Sequence, residues 1–394
     1  HTGVLVDRAT LDRLQQEFAV RLEELIREIH QLAGEEFNIN STRELGRILF
    51  EKLGYPVIKQ TKTGYSTAAD VLATLAVEHD AEIARKVMEY RELGKLQSTY
   101  IAGLGAQIDA QTGRIHTTFN QTVTATGRLS STEPNLQNIP VRTELGRRIR
   151  AAFVAPRGWN LVAADYSQIE LRILAHLSGD ERLIQAFRCG QDIHARTAAE
   201  VFGVPLEAVT DDQRDRAKAV NFGIVYGISG FGLANQLGVS RQEAEDYIRR
   251  YFERYPGVKR YREATIARAR EHGYVRTLFS RLRYLPDLRS RVWHRRQLAE
   301  RAAVNTPIQG SAADIIKLAM VRVVRRLQAE GSPARLLLQV HDELIFEVPA
   351  DGVDQLAQLV VAEMEGVGEA LDLQVPLRVD VKCGPNWYEL EPLR

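Results

Sequence analysis

Apolar residues recur at helical spacing close to the start of the chain. The stripe consists of Leu11, Leu14, Phe18, Leu22, Leu25, Ile29 and Leu32. This period predicts an amphipathic helix over residues 10–35. Similar patterns predict further helices at 41–54, 67–78 and 80–100. The block 10–112 is therefore expected to be a mostly helical arm.

The second of these helices carries start and stop signals. Ser41 is suited to the N-cap, and Glu44 follows three residues later in a capping-box pattern. Gly54 and Pro56 are typical of a helix end. The segment 61–66 is polar and is predicted to be a loop.

The pattern changes to that of strands after residue 112. Residues 114–119 alternate, and 149–154 and 160–166 are rich in apolar and β-branched residues on either side of a Pro-Arg-Gly turn. A largely helical stretch follows over 168–300. We expect it to break at Gly203-Val204-Pro205, Gly238, Pro256-Gly257 and Tyr284-Leu285-Pro286.

The last part of the chain returns to strands. A helix over 306–330 is predicted to precede two strands, 335–340 and 344–348, joined by a tight turn at 341–343. A helix at 351–370 and a strand at 376–382 complete the chain. The order of elements predicts an α+β fold in which an antiparallel sheet is interrupted by a helical insertion.

Composition limits the class of protein. The 394 residues are 44% hydrophobic, so two or three subdomains are expected. The net charge of +1 means that a nucleic-acid surface would need locally segregated charge. The two cysteines lack metal-ligand spacing, and no apolar run is long enough for a bilayer. We expect a cytoplasmic protein without a membrane partner, and the start at His1 resembles the edge of a longer protein.

Two aspartates stand where strands are predicted to end. Asp165 ends an apolar strand, and Asp342 lies in the turn between two apolar strands. Rigidly held carboxylates suit Mg²⁺, and a pair of such ions can activate a hydroxyl and stabilise a leaving oxygen. Each aspartate alone is equally explained by a helix cap or a turn preference. Glu343 is a weaker ligand candidate that could tune the site.

A second motif repeats every four residues. Its members are Arg214, Lys218, Phe222 and Tyr226. On a helix they share one face, which offers two cations to a phosphate and two aromatic rings to a base or sugar. An ordinary amphipathic helix would give a similar pattern. Gly223, Gly227 and Gly230 favour a close approach or a hinge instead, because glycine destabilises a helix interior by ~1 kcal/mol.

Candidate nucleic-acid contacts are basic or amide side chains. Seven arginines occur within 281–301, at positions 281, 283, 289, 291, 295, 296 and 301. They could bind phosphates or form a solvated helix face. The irregular segments 126–131 and 135–140 are rich in hydrogen-bonding groups. Donors such as Arg128 and Gln309 could test base-pair geometry in the minor groove without reading sequence.

Taken together, the motifs resemble the polymerase domain of the bacterial DNA polymerase I group, the A family of DNA polymerases. The segment Asp165–Arg172 is similar to motif A of that family, Arg214–Gly227 to motif B, and Gln339–Glu343 to motif C. Two further family signatures match at 126–131 with 135–140, and at Asn305–Gly310. The resemblance covers essentially the whole chain.

The resemblance implies a right-hand polymerase fold with a palm that contains the antiparallel sheet, helical fingers and a helical thumb. The thumb would be 10–112 and the fingers 191–299. The palm would comprise 113–190 and 300–394, with 1–9 as its entry segment.

The same resemblance assigns roles to individual residues. Asp165 and Asp342, assisted by the Tyr166 carbonyl, would hold two Mg²⁺ ions, for which Mn²⁺ could substitute. Lys218 would bind the triphosphate and protonate pyrophosphate, and Glu170 would crowd a ribose 2′-OH. Other expected nucleotide contacts are Arg214, Phe222, Tyr226, His194 and Gln168. Expected DNA contacts are Arg128, Asn138, Arg142, Asn305, Gln309, His341 and Arg301.

The expected function is DNA-templated DNA synthesis by a monomer that binds a template-primer duplex and deoxynucleoside triphosphates. A single-subunit RNA polymerase and an inactive relative that only binds template-primer are the alternatives. Glu170 argues against the first, and the two aspartates with Arg214 and Lys218 argue against the second. Neither a proofreading exonuclease nor a 5′ nuclease is expected within this chain.

Overall fold

The computed structural model describes residues 2–62, 64–141 and 143–393. The chain divides into two compact units. The first unit consists of His1–Thr118, Glu133–Pro156 and Pro385–Glu389. The second unit consists of Phe119–Thr132, Arg157–Gly384 and Leu390–Arg394. Within the described ranges, no helix has the length and apolar character to cross a membrane.

The first unit is built on the helix that the apolar stripe predicts. It spans Arg8–Ala33, begins at an Asp7 cap that accepts from the Ala9 N–H, and ends at Gly34 in the left-handed region. Its buried stripe includes Leu11, Leu14, Phe18, Leu25 and Ile29. Further helices of this unit are Ala69–Glu78, Glu82–Lys95, Leu96–Ala102 as a π-helix and Gly103–Gly105. The strand Val4–Leu5 pairs with Arg114–Ile115.

The helix predicted at 41–54 forms as an α-helical turn, Thr42–Gly46, that continues as a π-helix, Arg47–Lys52. Ser41 caps it by accepting from the Glu44 N–H at 3.3 Å. The predicted capping box is wrong, because the Glu44 carboxylate accepts from the Asn38 N–H at 2.9 Å.

Three other predictions in this part of the chain need correction. The loop at 61–66 contains a small hairpin, Gln60–Thr61 with Gly64–Tyr65, and Thr63 lies outside the described residues. The strand at 114–119 is two short strands, Arg114–Ile115 and Thr118–Asn120. The strand at 149–154 is wrong over its first four residues: Glu144–Arg148 forms an α-helix that tightens into a 3₁₀-helix, Ile149–Ala152. Phe153 and Val154 are extended and form isolated β-bridges to Val6 and Asn386. A Thr143 cap starts this helix, and the tighter turn still buries the apolar residues that suggested a strand.

The second unit is organised around a five-stranded antiparallel sheet, here called the central sheet. Its strands in spatial order are Arg335–Val340, Glu343–Pro349, Trp159–Tyr166, Val379–Gly384 and Glu391–Pro392. The middle strand is buried on both faces from Leu161 to Ala164, which explains its unbroken apolar run. The helix Val353–Ala370 packs into the same core. The α+β prediction is therefore confirmed.

Most of the helical insertion matches its predicted breaks. The helices are Ile169–Ser178, Glu181–Arg188, Ile193–Phe202, Asp211–Val225, Gly230–Leu237, Arg241–Arg254 and Pro256–His272. Short 3₁₀ turns occur at Leu206–Ala208, Pro286–Arg289 and Ala350–Gly352. Gly203 and Gly238 end helices in the left-handed region, as expected. The sequence did not indicate the hairpin of Tyr274–Arg276 with Leu282–Tyr284, whose strands are only three residues each.

The helix predicted at 306–330 is much longer and spans Trp293–Ala329, with Pro307 inside it. Proline removes a helix hydrogen bond and typically costs ~3 kcal/mol. Two side chains bond to the main chain around it: Thr306 donates to the Ala302 carbonyl, and Ser311 donates to the Pro307 carbonyl. Burial of Ala303 and Ile308 on either side helps to offset the loss. We call this element the long helix.

Candidate active site

The turn that carries Asp342 has only two residues. Val340 pairs with Glu343, so His341 and Asp342 alone connect the two strands. His341 has a φ of 54°, in the left-handed region. Two-residue hairpin turns prefer Asn or Gly at such positions, and a strained residue costs on the order of 1–3 kcal/mol. The turn therefore holds a histidine and an aspartate where backbone preference alone would not select them.

Asp165 lies on the strand beside this hairpin. In the antiparallel register its Cα is paired with Glu343 on one side and with Asp380 on the other. The N–H of Tyr166 donates to the Asp342 carbonyl at 3.1 Å. Main-chain pairing thus places Asp165 and Asp342 on adjoining positions of the central sheet.

These carboxylates are held close together with little opposing charge. Burial, followed by the charges of Glu343, Asp342 and Asp380, raises the pKa of Asp165 to about 7. Burial also raises the pKa of Asp342, and the nearby Arg128 opposes that shift. Asp165 is exposed by its accessible surface and lines a cleft. At these two aspartates, burial and acidic neighbours therefore outweigh the opposing charges of Lys382 and Arg128.

A divalent cation bound between Asp165 and Asp342 would supply the positive charge that stabilises the two ionised carboxylates. Within the described ranges, no three His, Cys, Asp or Glu side chains converge as a ready-made metal site. An ion here would depend on Asp165 and Asp342, with further oxygens from the main chain, water or substrate. Mg²⁺ is commonly held in this way, by one or two carboxylates and the phosphates of a substrate. The donor set fits such an ion.

The helix Asp211–Val225, here called the basic helix, carries the repeating motif. Thr210 and Gln213 form a capping box at its start, and Tyr226 is its last capping residue. Arg214 Nε donates to Asp192 Oδ2 at 2.6 Å. Lys218 is exposed one turn further along, whereas Arg216 pairs with Asp212 at 2.9 Å. A spacing of two residues on a helix directs Arg216 away from the face that carries Arg214, which fits this pairing.

Aromatic rings extend the same helix face. Phe222 and Tyr226 have ring centroids 6.4 Å apart and planes inclined by only 19°. His194 lies 5.8 Å from Phe222 by the same measure. The rings form a flat wall on which a planar group could stack.

His194 is a neutral hydrogen-bond donor in this arrangement. Its side chain is buried, and Asn221 Nδ2 lies 3.0 Å from its Nδ1. Because an amide nitrogen only donates, Nδ1 accepts and the proton of the neutral ring is on Nε2. Burial first, then Arg214 and Lys218, lowers the pKa of His194 to about 4 against the opposing charge of Asp192. His194 therefore offers Nε2–H to a ligand without a charge.

Glu170 connects the aromatic wall to the carboxylate side of the cleft. It is 4% exposed and begins the helix after the Asp165 strand. It accepts from Tyr226 Oη at 2.7 Å and from Arg128 Nη2 at 2.5 Å. The same Arg128 nitrogen lies 3.7 Å from Asp342 Oδ1. Burial raises the pKa of Glu170, while its bonds to Tyr226 and Arg128 lower it.

These groups line one cleft of about 470 Å³ in the second unit. Its lining consists of Arg128, Asp165, Tyr166, Gln168, Ile169, Glu170, His194, Arg214, Lys218, Phe222, Tyr226, His341 and Asp342. Gln168 has a φ of 54° and immediately precedes the helix that bears Glu170. Most of the residues that the sequence motifs singled out therefore converge, although they come from separated parts of the chain.

Other predicted contacts lie outside this lining. Asn305 Nδ2 donates weakly to the Tyr226 carbonyl at 3.4 Å. Burial and Glu170 raise the pKa of Tyr226, and a hydrogen bond from Gln309 opposes that shift. Arg301 packs its side-chain carbons against Gly227, whose added Cβ would lie 3.1 Å from Arg301 Cγ. Glu343 influences Asp165 from the neighbouring strand.

Two predicted DNA contacts are separate from the cleft residues. Asn138 belongs to the first unit, where its carbonyl accepts from Tyr100 Oη at 2.7 Å. Arg142 lies outside the described residues. Both assignments stay predictions.

The arginine-rich segment divides by structural role. Arg281 bonds to Asp314, and Arg283 donates to Thr306 Oγ1 at 2.8 Å. Arg289 and Arg296 donate to the carbonyls of Glu271 and Ser290. Arg291 and Arg295 are exposed. Some of the seven arginines thus stabilise the fold. Neither of the two interpretations made from the sequence, phosphate binding or a solvated helix face, predicted this role.

Sequence reasoning missed several supporting residues. Asp192 caps the helix Ile193–Phe202 and also holds Arg214. Asn221 orients His194 and is in turn held by Thr197 at 3.1 Å. Asp380 adds a third charge beside Asp165. The Asp192-Ile193-His194 cap pattern was a visible signal, whereas the roles of Asn221 and Asp380 depend on tertiary pairing.

Comparison with known proteins finds similarity to DNA polymerases along nearly the whole chain. The model of DNA polymerase family A matches residues 8–389. DNA polymerase I of Geobacillus stearothermophilus is 56% identical over 389 residues, covering 98% of this chain and 44% of that protein. DNA polymerase I of Pseudomonas aeruginosa is 55% identical over 388 residues, with 98% and 42% coverage. The chain therefore spans less than half the length of these relatives.

The fold agrees as well. The polymerase domain of Pol1 from M. smegmatis, solved in complex with DNA primer-template and dNTP, superimposes with a TM-score of 0.93 at 46% identity. The match covers 98% of this chain and 68% of that one. The resemblance drawn from the motifs is thereby confirmed, together with the polymerase fold class. By sequence and by fold, the chain belongs to DNA polymerase family A.

Proposed function

We propose that this chain extends a primer on a DNA template with deoxynucleoside triphosphates. The 3′ oxygen of the primer attacks the α-phosphorus, the bond from that phosphorus to the bridging oxygen breaks, and pyrophosphate leaves. One observation carries the proposal: Asp165 and Asp342 share a single cleft with Arg214, Lys218 and an aromatic wall. The relative from M. smegmatis, solved with DNA primer-template and dNTP, supports the choice of partners.

Asp165 and Asp342 are the residues proposed to hold two Mg²⁺ ions, with the Tyr166 carbonyl assisting and Mn²⁺ as a possible substitute. When bound, the ions would supply charge that activates the primer hydroxyl and stabilises the leaving oxygen. The raised pKa of both aspartates supports this assignment, because each carboxylate is destabilised until positive charge arrives. Glu343 tunes the charge at Asp165 from the adjoining strand.

Three groups are proposed to handle the triphosphate. Arg214 presents a guanidinium that Asp192 holds at the edge of the cleft. Lys218 supplies a mobile ammonium that both binds the phosphates and protonates the departing pyrophosphate. His194 adds an uncharged N–H donor, which remains available across the physiological pH range because its pKa lies near 4.

Phe222 and Tyr226 are proposed to stack on the nascent base pair and the sugar. Glu170, which is buried and bonded on both sides, would occupy the space next to the sugar 2′ carbon and exclude a ribose hydroxyl. Gln168 would contact the nucleotide from the start of the same helix. Arg128, His341, Gln309, Asn305, Arg301, Asn138 and Arg142 are proposed DNA contacts.

The subdomain assignment is part of the proposal. The thumb would be 10–112, the palm 113–190 with 300–394, and the fingers 191–299, with 1–9 entering the palm. Close packing at Gly223 in the basic helix and at Gly227 just beyond its end supports a fingers segment that closes on a correct pair. We propose that the chain acts as a monomer in the bacterial cytoplasm, and that this segment alone neither proofreads nor cleaves 5′ flaps.

Primer extension on a recessed DNA template with Mg²⁺ tests the function. Template-directed extension by deoxynucleotides, with ribonucleotides rejected, is the expected result. The Asp165→Asn variant should bind template-primer but not extend it. Extension with ribonucleotides from a promoter would favour the RNA polymerase alternative, and normal binding without any extension would favour an inactive relative.

A further inference from the structure

Arg128 lies in a segment with little regular structure of its own. Residues 121–129 form turns and bends between the short strands Thr118–Asn120 and Ser130–Thr132. Its guanidinium nevertheless reaches Glu170 at 2.5 Å and lies 3.7 Å from Asp342. Ordering a segment without helix or strand costs conformational entropy, so stabilising contacts are needed to hold its main chain in one place.

Two side-chain contacts hold the main chain on either side of Arg128. Lys317 Nζ, on the long helix, donates to the Gly127 carbonyl at 2.8 Å. Thr124 Oγ1 donates to the carbonyl of Arg128 itself at 2.6 Å. The first contact is charge-assisted and comes from a rigid element, so it is the stronger anchor.

Asp314, one turn before Lys317, is the centre of this anchor. Its side chain is only 5% exposed. It accepts from Arg281 at 2.7 and 3.0 Å and from Thr277 Oγ1 at 2.9 Å, and it lies 3.3 Å from Lys317 Nζ. A buried carboxylate is tolerated when it is paired and bonded in this way. Asp314 therefore orients both Lys317 and Arg281.

The segment also passes too close to this cluster for larger residues. Gly127 has a φ of 79°, and a Cβ there would lie 2.8 Å from Arg281 Nε. A Cβ on Gly310 of the long helix would lie 2.5 Å from Thr277 Cγ2 and 3.2 Å from the Thr126 carbonyl. Close contacts thus occur at Gly127 in the segment and at Gly310 on the long helix, which indicates that the segment is tightly packed against that helix and the residues around Asp314.

We propose that Asp314 and Lys317 are positioning residues that set the place of Arg128 in the cleft. They act through the Gly127 carbonyl and touch neither nucleotide nor primer. This inference rests on the proposed function of the cleft, since it concerns how precisely Arg128 meets the primer end. It assigns a role to charged groups on the long helix that the motifs did not single out.

Removal of the ammonium is the direct test. Lys317→Met keeps the apolar length of the side chain but frees the Gly127 carbonyl. We expect kcat for primer extension to fall about 10- to 100-fold, since small misplacements of this kind cost that much. The KM for the deoxynucleotide should change little. Lys317→Arg, which still donates to both Gly127 and Asp314, should recover most of the rate.

Arg326→Met is the matched control. Arg326 lies on the same helix and pairs with Glu330 at 2.6 Å. Its loss should leave kcat unchanged. An equal fall in this control would mean that any weakening of the long helix slows the enzyme, and the positioning role would be wrong.

A double-mutant comparison separates positioning from an independent effect. If Lys317 acts only through Arg128, then Lys317→Met should add almost nothing to Arg128→Ala. Full additivity would overturn the proposal. Asp314→Asn, which keeps the size of the side chain, should behave like Lys317→Met in the same comparison.

Hydrogen exchange distinguishes failure of the inference from failure of the proposed function. Amides in 121–130 should exchange at least about tenfold faster in Lys317→Met than in the wild-type chain, but not in Arg326→Met. Unchanged exchange would sink the positioning role even in an active enzyme. Faster exchange in Lys317→Met, together with a wild-type chain that cannot extend primers, would uphold the anchor and reject the polymerase assignment.

Discussion

Tyr226 donates its phenolic hydrogen to Glu170 across 2.7 Å, so the residue that caps the end of the basic helix is bonded to the first turn of the helix that follows Asp165. Arg128 occupies the other oxygen of the same carboxylate. Glu170 is thereby fixed in a buried position between the aromatic wall and the carboxylates. A fixed side chain can exclude a substituent on a sugar, whereas a mobile one would move aside.

Substitution of Glu170 by alanine is expected to weaken rejection of ribonucleotides. Opening the space beside the sugar should reduce the ratio of kcat/KM for deoxynucleotides over ribonucleotides by about 100-fold, or ~3 kcal/mol. The measurement is single-nucleotide extension with matched deoxy- and ribonucleotides. Tyr226→Phe keeps the ring but frees one carboxylate oxygen, so it should give a smaller loss of the same kind. Unaltered selectivity in Glu170→Ala would show that this residue is not the gate.

Arg214 and Arg216 provide a matched pair on one helix. Arg214 faces the cleft, and Arg216 is paired with Asp212 elsewhere. Arg214→Ala is expected to raise the KM for deoxynucleotides about 10- to 100-fold, the worth of a charge-assisted contact of ~1.5–3 kcal/mol. Arg216→Ala should change it less than about twofold. Similar changes in both variants would indicate a general charge effect instead of a specific phosphate contact.

Asp165 should make stability depend on pH. Its pKa is about 7 in the folded protein, whereas an unfolded chain releases this proton near ~3.9. The folded state therefore binds the extra proton between these values. The contribution of this group to the free energy of unfolding is present below pH ~4 and is lost as the pH rises through about 7. Divalent cations should restore stability at higher pH, because a bound cation neutralises the ionised carboxylates.

The Asp165→Asn variant tests this sign. Without divalent ions at pH 8, its midpoint of thermal unfolding should exceed that of the wild-type chain by on the order of 1–3 °C. The difference between the two midpoints should shrink as the pH falls and should vanish near pH ~4, where Asp165 is protonated in both states. Asp380→Asn removes only one of the neighbouring charges that raise the pKa of Asp165, so it should give a smaller rise at pH 8. A lower midpoint for Asp165→Asn at pH 8 would contradict the crowded-carboxylate explanation.

Gly223 is expected to resist a change that usually stabilises helices. Alanine normally gains ~1 kcal/mol over glycine in a helix interior. A Cβ at Gly223, however, would lie 2.9 Å from Ile228 Cγ2. Gly223→Ala should therefore lower the free energy of unfolding by about 1–3 kcal/mol, as overpacking does.

The free energy of unfolding of Gly223→Ala is measured by chemical denaturation and compared with that of two control variants. Gly94→Ala lies within the helix Glu82–Lys95 with open space around the new methyl group, so it should be neutral or stabilising. Adding Ile228→Ala to Gly223→Ala should cost less than the sum of the single changes. Strict additivity would show that the two side chains do not collide.

Local patterns predicted the elements that support the carboxylates. The buried strand ending at Asp165 and the hairpin around Asp342 appear as apolar runs, because their burial is continuous in the structure. The basic helix was equally visible, since its period is intrinsic to an α-helix. In each case one segment carries its own signal.

Features that depend on packing between distant segments were not predictable in this way. The helix through Pro307 contradicts a local rule, and the core around Ala303 and Ile308 overrides it. The bonds from Asp192 to Arg214 and from Asn221 to His194 join different helices. Their partners become evident only when the helices are packed, which no periodicity reveals.

The backbone bond from Tyr166 to Asp342 has a consequence for how this protein can change over generations. The spacing of the two aspartates is set by a main-chain hydrogen bond, whose N–H donor any residue except proline can provide. Neighbouring side chains in the strands can therefore drift without altering that spacing. The opposite wall is joined through side chains such as Glu170, Tyr226 and Asn221, so single substitutions reach it directly. On the proposed function, mutations that accumulate in this chain would therefore change its selectivity among nucleotides before they changed the spacing of the aspartates proposed for nucleotidyl transfer.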